Sequence, residues 1–294
     1  REDYYMNFVV FSMDIEDWYH LDYIERKKCD TSLSMLDGVE NYLSFLQRHE
    51  IISTFFVLGE MAKSSAGHHL AQINKEGHEI ASHGWSHQRP LTMTKKEFIE
   101  DLKRSKGEIE DVIGQRVEGY RAPCFSIDRA HLEVVRETGH YYDSSRILCD
   151  AHPLYGSLNV EGYDQVSPEI FRYEEFFEFQ VSTLSILGRH IPISGGGYLR
   201  IFPWLLMKRL CKRYIKQHNF YVLYIHPFEL SEVHTPILPG GTRWMTRRRF
   251  STGRKSVQAK LDKLVELLKN NEFTFTTFSA LRSNLIESNK NVEG

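Results

Sequence analysis

Short runs of consecutive apolar residues alternate along this chain with longer stretches in which apolar positions recur every three or four residues. That pattern predicts a β/α architecture, each buried strand followed by an amphipathic helix. The first strand is expected at about 7–13, and Val39, Leu43 and Leu46 mark a helix over about 36–49. Thr54-Phe-Phe-Val-Leu58 reads as a buried strand closed by Gly59. A helix over about 67–75 stops at Gly77, and Glu79-Ile-Ala-Ser82 is the next strand. Thr94-Lys-Lys-Glu97 has the form of a capping box ahead of a helix that turns Phe98, Leu102, Ile109 and Val112 inward. Gly119-Tyr-Arg121 is a strand that Pro123 ends, and Asp128 caps a helix that Gly139 ends. Residues 219–225 form a strong buried strand, followed by a last helix over about 256–269 and a closing strand at 273–277. Between them, residues 146–200 are less regular, carry Gly195-Gly-Gly197, and read as an insertion loop near the functional site.

Composition narrows this picture. With 294 residues, 41% of them hydrophobic, the chain is long enough for one large single-core domain over 1–294, which is favoured over two smaller ones. No stretch of about 18 apolar residues is present, so no spanning helix is expected. A net charge of -2 gives no reason to expect nucleic acid as a partner. Cys29, Cys124, Cys149 and Cys211 have no paired spacing, which fits reduced thiols in the cytoplasm. A basic, apolar and small-residue leader pattern is not seen, although a start at Arg1 leaves trimming open.

Polar residues fall at informative places. Asp14, Glu16, Asp17, His83, His87, Arg121 and His226 all stand at the carboxyl ends of predicted strands or just beyond. In a barrel of parallel strands these ends share one rim, where catalytic groups are assembled. Imidazoles four residues apart, at His83 and His87, suit one metal ion with a carboxylate as third ligand. Alternation along a strand puts Asp14 and Glu16 on one face. Asp14 and Glu16 can therefore address one pocket together, which favours Glu16 as ligand, with Asp17 the rival ligand if the strand ends or bulges at Ile15.

These residues carry a resemblance. Met13-Asp14-Ile-Glu16-Asp17, His83-Gly-Trp-Ser-His87, Arg121-Ala-Pro123 and Tyr224-Ile-His226 resemble, in order and placement, the motifs of the polysaccharide deacetylases of the NodB-homology, carbohydrate esterase type. Tyr142-Asp-Ser-Ser145, Gly195-Gly-Gly-Tyr-Leu-Arg200 and His226-Pro-Phe-Glu229 are similar to a bacterial branch associated with exopolysaccharide or O-antigen loci. The resemblance implies a distorted (β/α) barrel of about seven parallel strands and hydrolysis of the N-acetyl amide of an acetamido sugar, with release of acetate. It implies a divalent metal, Zn²⁺ by preference, on His83, His87 and Glu16 or Asp17. It also implies Asp14 as base, Arg121 as the group that buttresses it, and His226 as the acid that protonates the departing amine. The backbone amide of Cys124, beside Pro123 and Tyr120, is expected on the oxyanion side. Asp143 or Glu229 is expected to orient His226, although the family's Asp-Trp motif has no clear counterpart here. A sugar deformylase on the same site and a non-catalytic carbohydrate-binding relative are the alternatives.

Residues 203–216 hint at the substrate. Leu206, Met207, Leu210, Cys211 and Tyr214 fall on one helical face and Lys208, Arg209, Lys212, Arg213 and Lys216 on the other, with further cations over 243–255. Such a surface suits a lipid-linked saccharide and a peripheral contact with the inner membrane face, whereas the bland reading is a barrel helix with a solvated side.

Overall fold

The computed structural model describes residues 6–149 and 152–293. Its strands are β1 (Asn7–Ile15), β2 (Thr54–Val57), β3 (Glu79–Ser82), β4 (Gly119–Tyr120), β5 (Tyr142–Asp143), β6 (Asp164–Ser167), β7 (Ile170–Tyr173), β8 (Phe176–Phe179), β9 (Thr183–Ile186), β10 (Arg189–Pro192), β11 (Phe220–Ile225) and β12 (Phe273–Thr276). Seven of them lie side by side and parallel in the order β11, β1, β2, β3, β4, β5, β8. Helices cover the outside, so the sheet curls into the (β/α) barrel expected from the sequence. β12 pairs with the first half of β1, while β6 and β7 extend the far edge antiparallel. No ladder joins β8 to β11 among the described residues. Instead the Val222 amide donates to Ser182 Oγ and the Tyr224 amide to the Ser194 carbonyl, each at 2.9 Å.

Alternation along β1 sets the two faces. Val9, Phe11, Met13 and Ile15 pack outward with Val39, Leu43 and Leu46 of helix Asp37–His49. Val10 packs inward with Phe56, Ala81 and Val222. Burying each such side chain contributes roughly 1.5–3 kcal/mol, so this row holds its register firmly. β1 runs two residues further than expected, to Ile15, and carries Ser12 and Asp14 along the inner row.

The helices at 67–75, 95–113, 129–137 and 257–269 stand where periodicity placed them, and Thr94 with Glu97 forms the capping box. Two features depart from the expectation. Residues 146–200 are not a loop: they hold β6 to β10 and bring Gly195 back to Tyr224. Their strands are only four residues each, too short for a clear period-two signal. A final helix, Phe278–Glu293, follows β12, and its Phe278 and Leu281 fill the inner cluster.

Candidate metal centre and active site

Three groups meet just beyond the carboxyl ends of β1 and β3. Glu16 leaves β1 on the same side as Asp14, and its Oε2 stands 2.8 Å from His87 Nε2. Glu16 Oε2 nonetheless makes no aligned hydrogen bond, as expected of donor atoms aimed at a shared point rather than at each other. His83 donates from Nδ1 to the Arg121 carbonyl at 2.8 Å, which leaves its other ring nitrogen for the same point. The ligand atoms of Glu16, His83 and His87 all lie within 4.8 Å of one another, and all three side chains are buried.

This carboxylate–imidazole set fits a divalent cation such as zinc. Burial alone would push the Glu16 carboxyl up, but His87, with His226 and His83, holds it down to about 2. Burial works against the charged form of His87 too, yet Glu16 and Asp22 raise it to about 10. His83, with less compensation, is lowered by burial to about 4. The buried Glu16 carboxylate is thus balanced by the imidazoles around it, a place that a bound cation would take. His87 has φ 64°, a left-handed backbone that turns its ring back toward Glu16. Its Nδ1 lies 3.4 Å from Asp22, which Arg89 and the Cys124 thiol also contact.

Asp14 occupies the inner row beside this centre. Fully buried Arg121 donates from Nη1 to Asp14 Oδ1 and to Ser12 Oγ, each at 2.8 Å. The rest of the guanidinium is held by the Ser144 carbonyl and Oγ, both at 3.0 Å, and lies over the Phe56 ring. A carboxylate fixed in this way keeps one orientation. On the opposite side, His226 Nε2 is 3.3 Å from Glu16 Oε1, and Nδ1 is 3.6 Å from Glu229 Oε2. Burial lowers the His226 ring's affinity for a proton, but Glu229 and Glu16 outweigh it and raise the group to about 9. Glu229 is itself fixed by the His226 amide at 3.1 Å and by Arg200 Nε at 3.4 Å.

Several expected site residues stand elsewhere. Asp17 is not placed as a metal ligand: its carboxylate accepts from the Trp18 amide at 2.8 Å and the Met35 amide at 2.9 Å, pinning the turn after β1. Tyr120 does not reach the oxyanion side. Alternation in β4 sends Arg121 inward and Tyr120 outward, against Phe98 and His140. Asp143 is 33 residues before Phe176 in sequence but faces Glu178 and Ser145, leaving Glu229 beside His226. Pro123 is buried at the turn that follows, where Cys124 and Phe125 take φ 54° and 51°. Phe125, Tyr155 and Tyr224 build an aromatic wall next to His226, with ring centroids 4.9 and 5.4 Å apart. Sequence reasoning missed Ser12, Asp22, Tyr155 and the role of Arg200. Ser144 and Arg200 lay within runs already singled out, whereas nothing in the local pattern marked Asp22 or Tyr155.

Comparison with known proteins agrees with this architecture. A polysaccharide deacetylase family model matches residues 32–142, and a domain of unknown function, DUF3473, matches 145–282. A peptidoglycan deacetylase from Helicobacter pylori is 29% identical over 118 residues, which span 40% of each protein. The match thus takes in well under half of that relative. A Mycobacterium smegmatis protein provisionally assigned as a polysaccharide deacetylase has a similar structure, with TM-score 0.59 and 18% identity over 96% of this chain and 90% of that one. A pseudoenzyme of the carbohydrate esterase 4 family from Bacillus anthracis has TM-score 0.54 and 13% identity, covering 94% and 66%. Residues 32–142 thus match the polysaccharide deacetylase model, and the chain shares the curled (β/α) barrel fold of these neighbours.

Proposed function

We propose that this chain is a metal-dependent amidohydrolase that removes the N-acetyl group of an acetamido sugar, in a polysaccharide or its lipid- or nucleotide-linked precursor. The observation that carries this reading is the placing of Glu16, His83 and His87 around one point, with the Arg121-held Asp14 on one side and His226 on the other. The polysaccharide deacetylase model match over 32–142 and the similarity to a peptidoglycan deacetylase support a hydrolase of non-peptide C–N bonds.

A bound divalent ion, best matched by Zn²⁺, would polarise the amide carbonyl and make a water more acidic. Asp14 takes a proton from the attacking water, whose oxygen bonds to the carbonyl carbon. The Cys124 backbone amide, on the turn after β4, would donate to the developing oxyanion. The C–N bond then breaks as His226 gives its proton to nitrogen, yielding acetate and a free amine. The Phe125, Tyr155 and Tyr224 wall offers an apolar face for the acetyl group or sugar ring. All four cysteines are free thiols, which supports action in the reducing cytoplasm, on a carrier-linked saccharide at the inner membrane face.

The test is acetate release from a panel of nucleotide-linked and lipid-linked acetamido sugars, run with metal analysis on Asp14→Asn and His83→Ala. Both substitutions are expected to abolish turnover, while only the histidine change depletes the metal. Full activity in Asp14→Asn would remove the base, and formate release without acetate would give the site to a deformylase. Retention of the base, acid and ligands together weighs against the non-catalytic alternative.

A further inference from the structure

The charge of this chain is unevenly distributed. Residues 179–261 contain fourteen lysines and arginines but only two acids, Glu229 and Glu232, in a protein whose net charge is -2. The remainder is correspondingly acidic.

Topology brings one end of this basic segment to the catalytic rim. β11 ends at Ile225, just before His226, and helix Trp204–Ile215 precedes it with Tyr214 on the Phe220 carbonyl and Cys211 beside Tyr221, so the helix runs the opposite way and sets its Trp204 end toward that rim. Arg200, just before the helix, reaches Glu229 beside His226. After β11, residues 231–252 fold back over the same rim, where Phe250 stacks on Phe228 at 5.0 Å.

The two stretches expose Ile201, Leu205, Leu206, Ile237, Trp244 and Met245. Leu205 is 73%, Ile237 92% and Trp244 67% exposed, although the chain has an ample core in which to bury such groups. Lys208 and Arg209 lie one turn beyond the apolar tip of the helix, and Arg243 and Arg248 flank Trp244; all four are exposed. Scattered exposed apolar residues need no explanation, but six large ones at one rim among unopposed cations form a distinct surface. Apolar side chains with an indole that enter the headgroup region, ringed by Lys and Arg, have the chemistry of an interfacial anchor. An acidic polymer would be recognised by the cations alone and leaves the apolar groups without a role.

We infer that this rim docks on an anionic lipid bilayer, with Ile201, Leu205, Leu206, Ile237, Trp244 and Met245 inserted and Lys208, Arg209, Arg243 and Arg248 facing the headgroups. The site would then open at the membrane surface, which deepens the proposed function by making a lipid-carried saccharide the substrate class; that consequence rests on the proposed function, and the docking does not.

Flotation of the full chain with vesicles tests the surface directly. Binding is expected to vesicles of phosphatidylcholine with phosphatidylglycerol, to be absent with phosphatidylcholine alone, and to weaken at high salt. Leu205→Ser with Trp244→Ser should lower partitioning at least about 10-fold. Lys208→Gln and Arg209→Gln should each lower it about fivefold. All four changes should leave hydrolysis of a soluble acetamido oligosaccharide intact. Absence of flotation at low salt overturns the inference, as does binding to dextran sulfate that survives the apolar substitutions while vesicles are ignored. Vesicle binding by a chain that releases no acetate would sink the catalytic reading and leave the docking standing.

Discussion

Glu16 and Asp17 are neighbours in the chain but face different ways, and substitution separates them. Glu16→Gln is expected to lose the bound metal. Asp17→Asn should keep it at full stoichiometry while costing about 1–3 kcal/mol of stability, because the Trp18 and Met35 amides lose their charged acceptor. Elemental analysis and a melting curve on both variants decide it. Alternation along a strand was enough to read from sequence that Asp14 and Glu16 share a face, since it depends only on nearest neighbours. The fate of Asp17 was not legible, because its partner Met35 is brought in from beyond the next turn. Glu229 gives a second test at this scale. If it orients His226, Glu229→Gln should cut amide hydrolysis on the order of 10- to 100-fold. Hydrolysis of an aryl acetate should change far less, because its phenolate departs without a proton. Equal losses on both substrates would leave Glu229 a merely structural role.

The run Gly195-Gly-Gly197 shows how an element can be read for composition yet not for purpose. Glycine signalled unusual backbone, and a loop was the natural expectation. Here Gly196 instead begins helix Gly196–Ile201, and what it provides is space: a Cβ at that position would overlap the Glu229 carboxylate. Gly197, one residue on, has open space around its Cβ position. Gly196→Ala is therefore expected to reproduce the amide-selective loss of Glu229→Gln and to destabilise the fold by about 1–3 kcal/mol. Gly197→Ala should keep activity and gain roughly 0.5–1 kcal/mol from helix propensity. Comparing aryl-ester and amide rates across the pair separates displacement of Glu229 from simple backbone stiffening. The long helices were readable because each spans several turns of periodic apolar positions. The four-residue strands of 146–200 were not, since their pairing is settled by β5 and by one another.

At the scale of the whole molecule, the two stretches matched by separate family models meet in one sheet. β5 closes the first and β8 belongs to the second, and their parallel pairing sets Asp143 opposite Glu178. We propose on this ground that residues 1–294 unfold as one unit, as a continuous sheet requires. Burial, with the neighbouring Glu178 charge, holds the Asp143 carboxyl well above its ordinary value, and burial likewise raises Glu178. In the unfolded chain both ionise near about pH 4. Above that pH the folded protein still binds protons that the unfolded chain has released, so this pair's contribution to stability falls as pH rises through the folded range. Once both groups are ionised in either state the decline stops. Glu178→Gln removes one of the facing charges while the amide can still meet Asp143. Its melting temperature relative to the parent should therefore climb as pH rises above about 4. A difference that stays constant over that range would show that the junction holds no extra proton. Two separate melting steps would show that the β5 to β8 seam does not couple the two stretches.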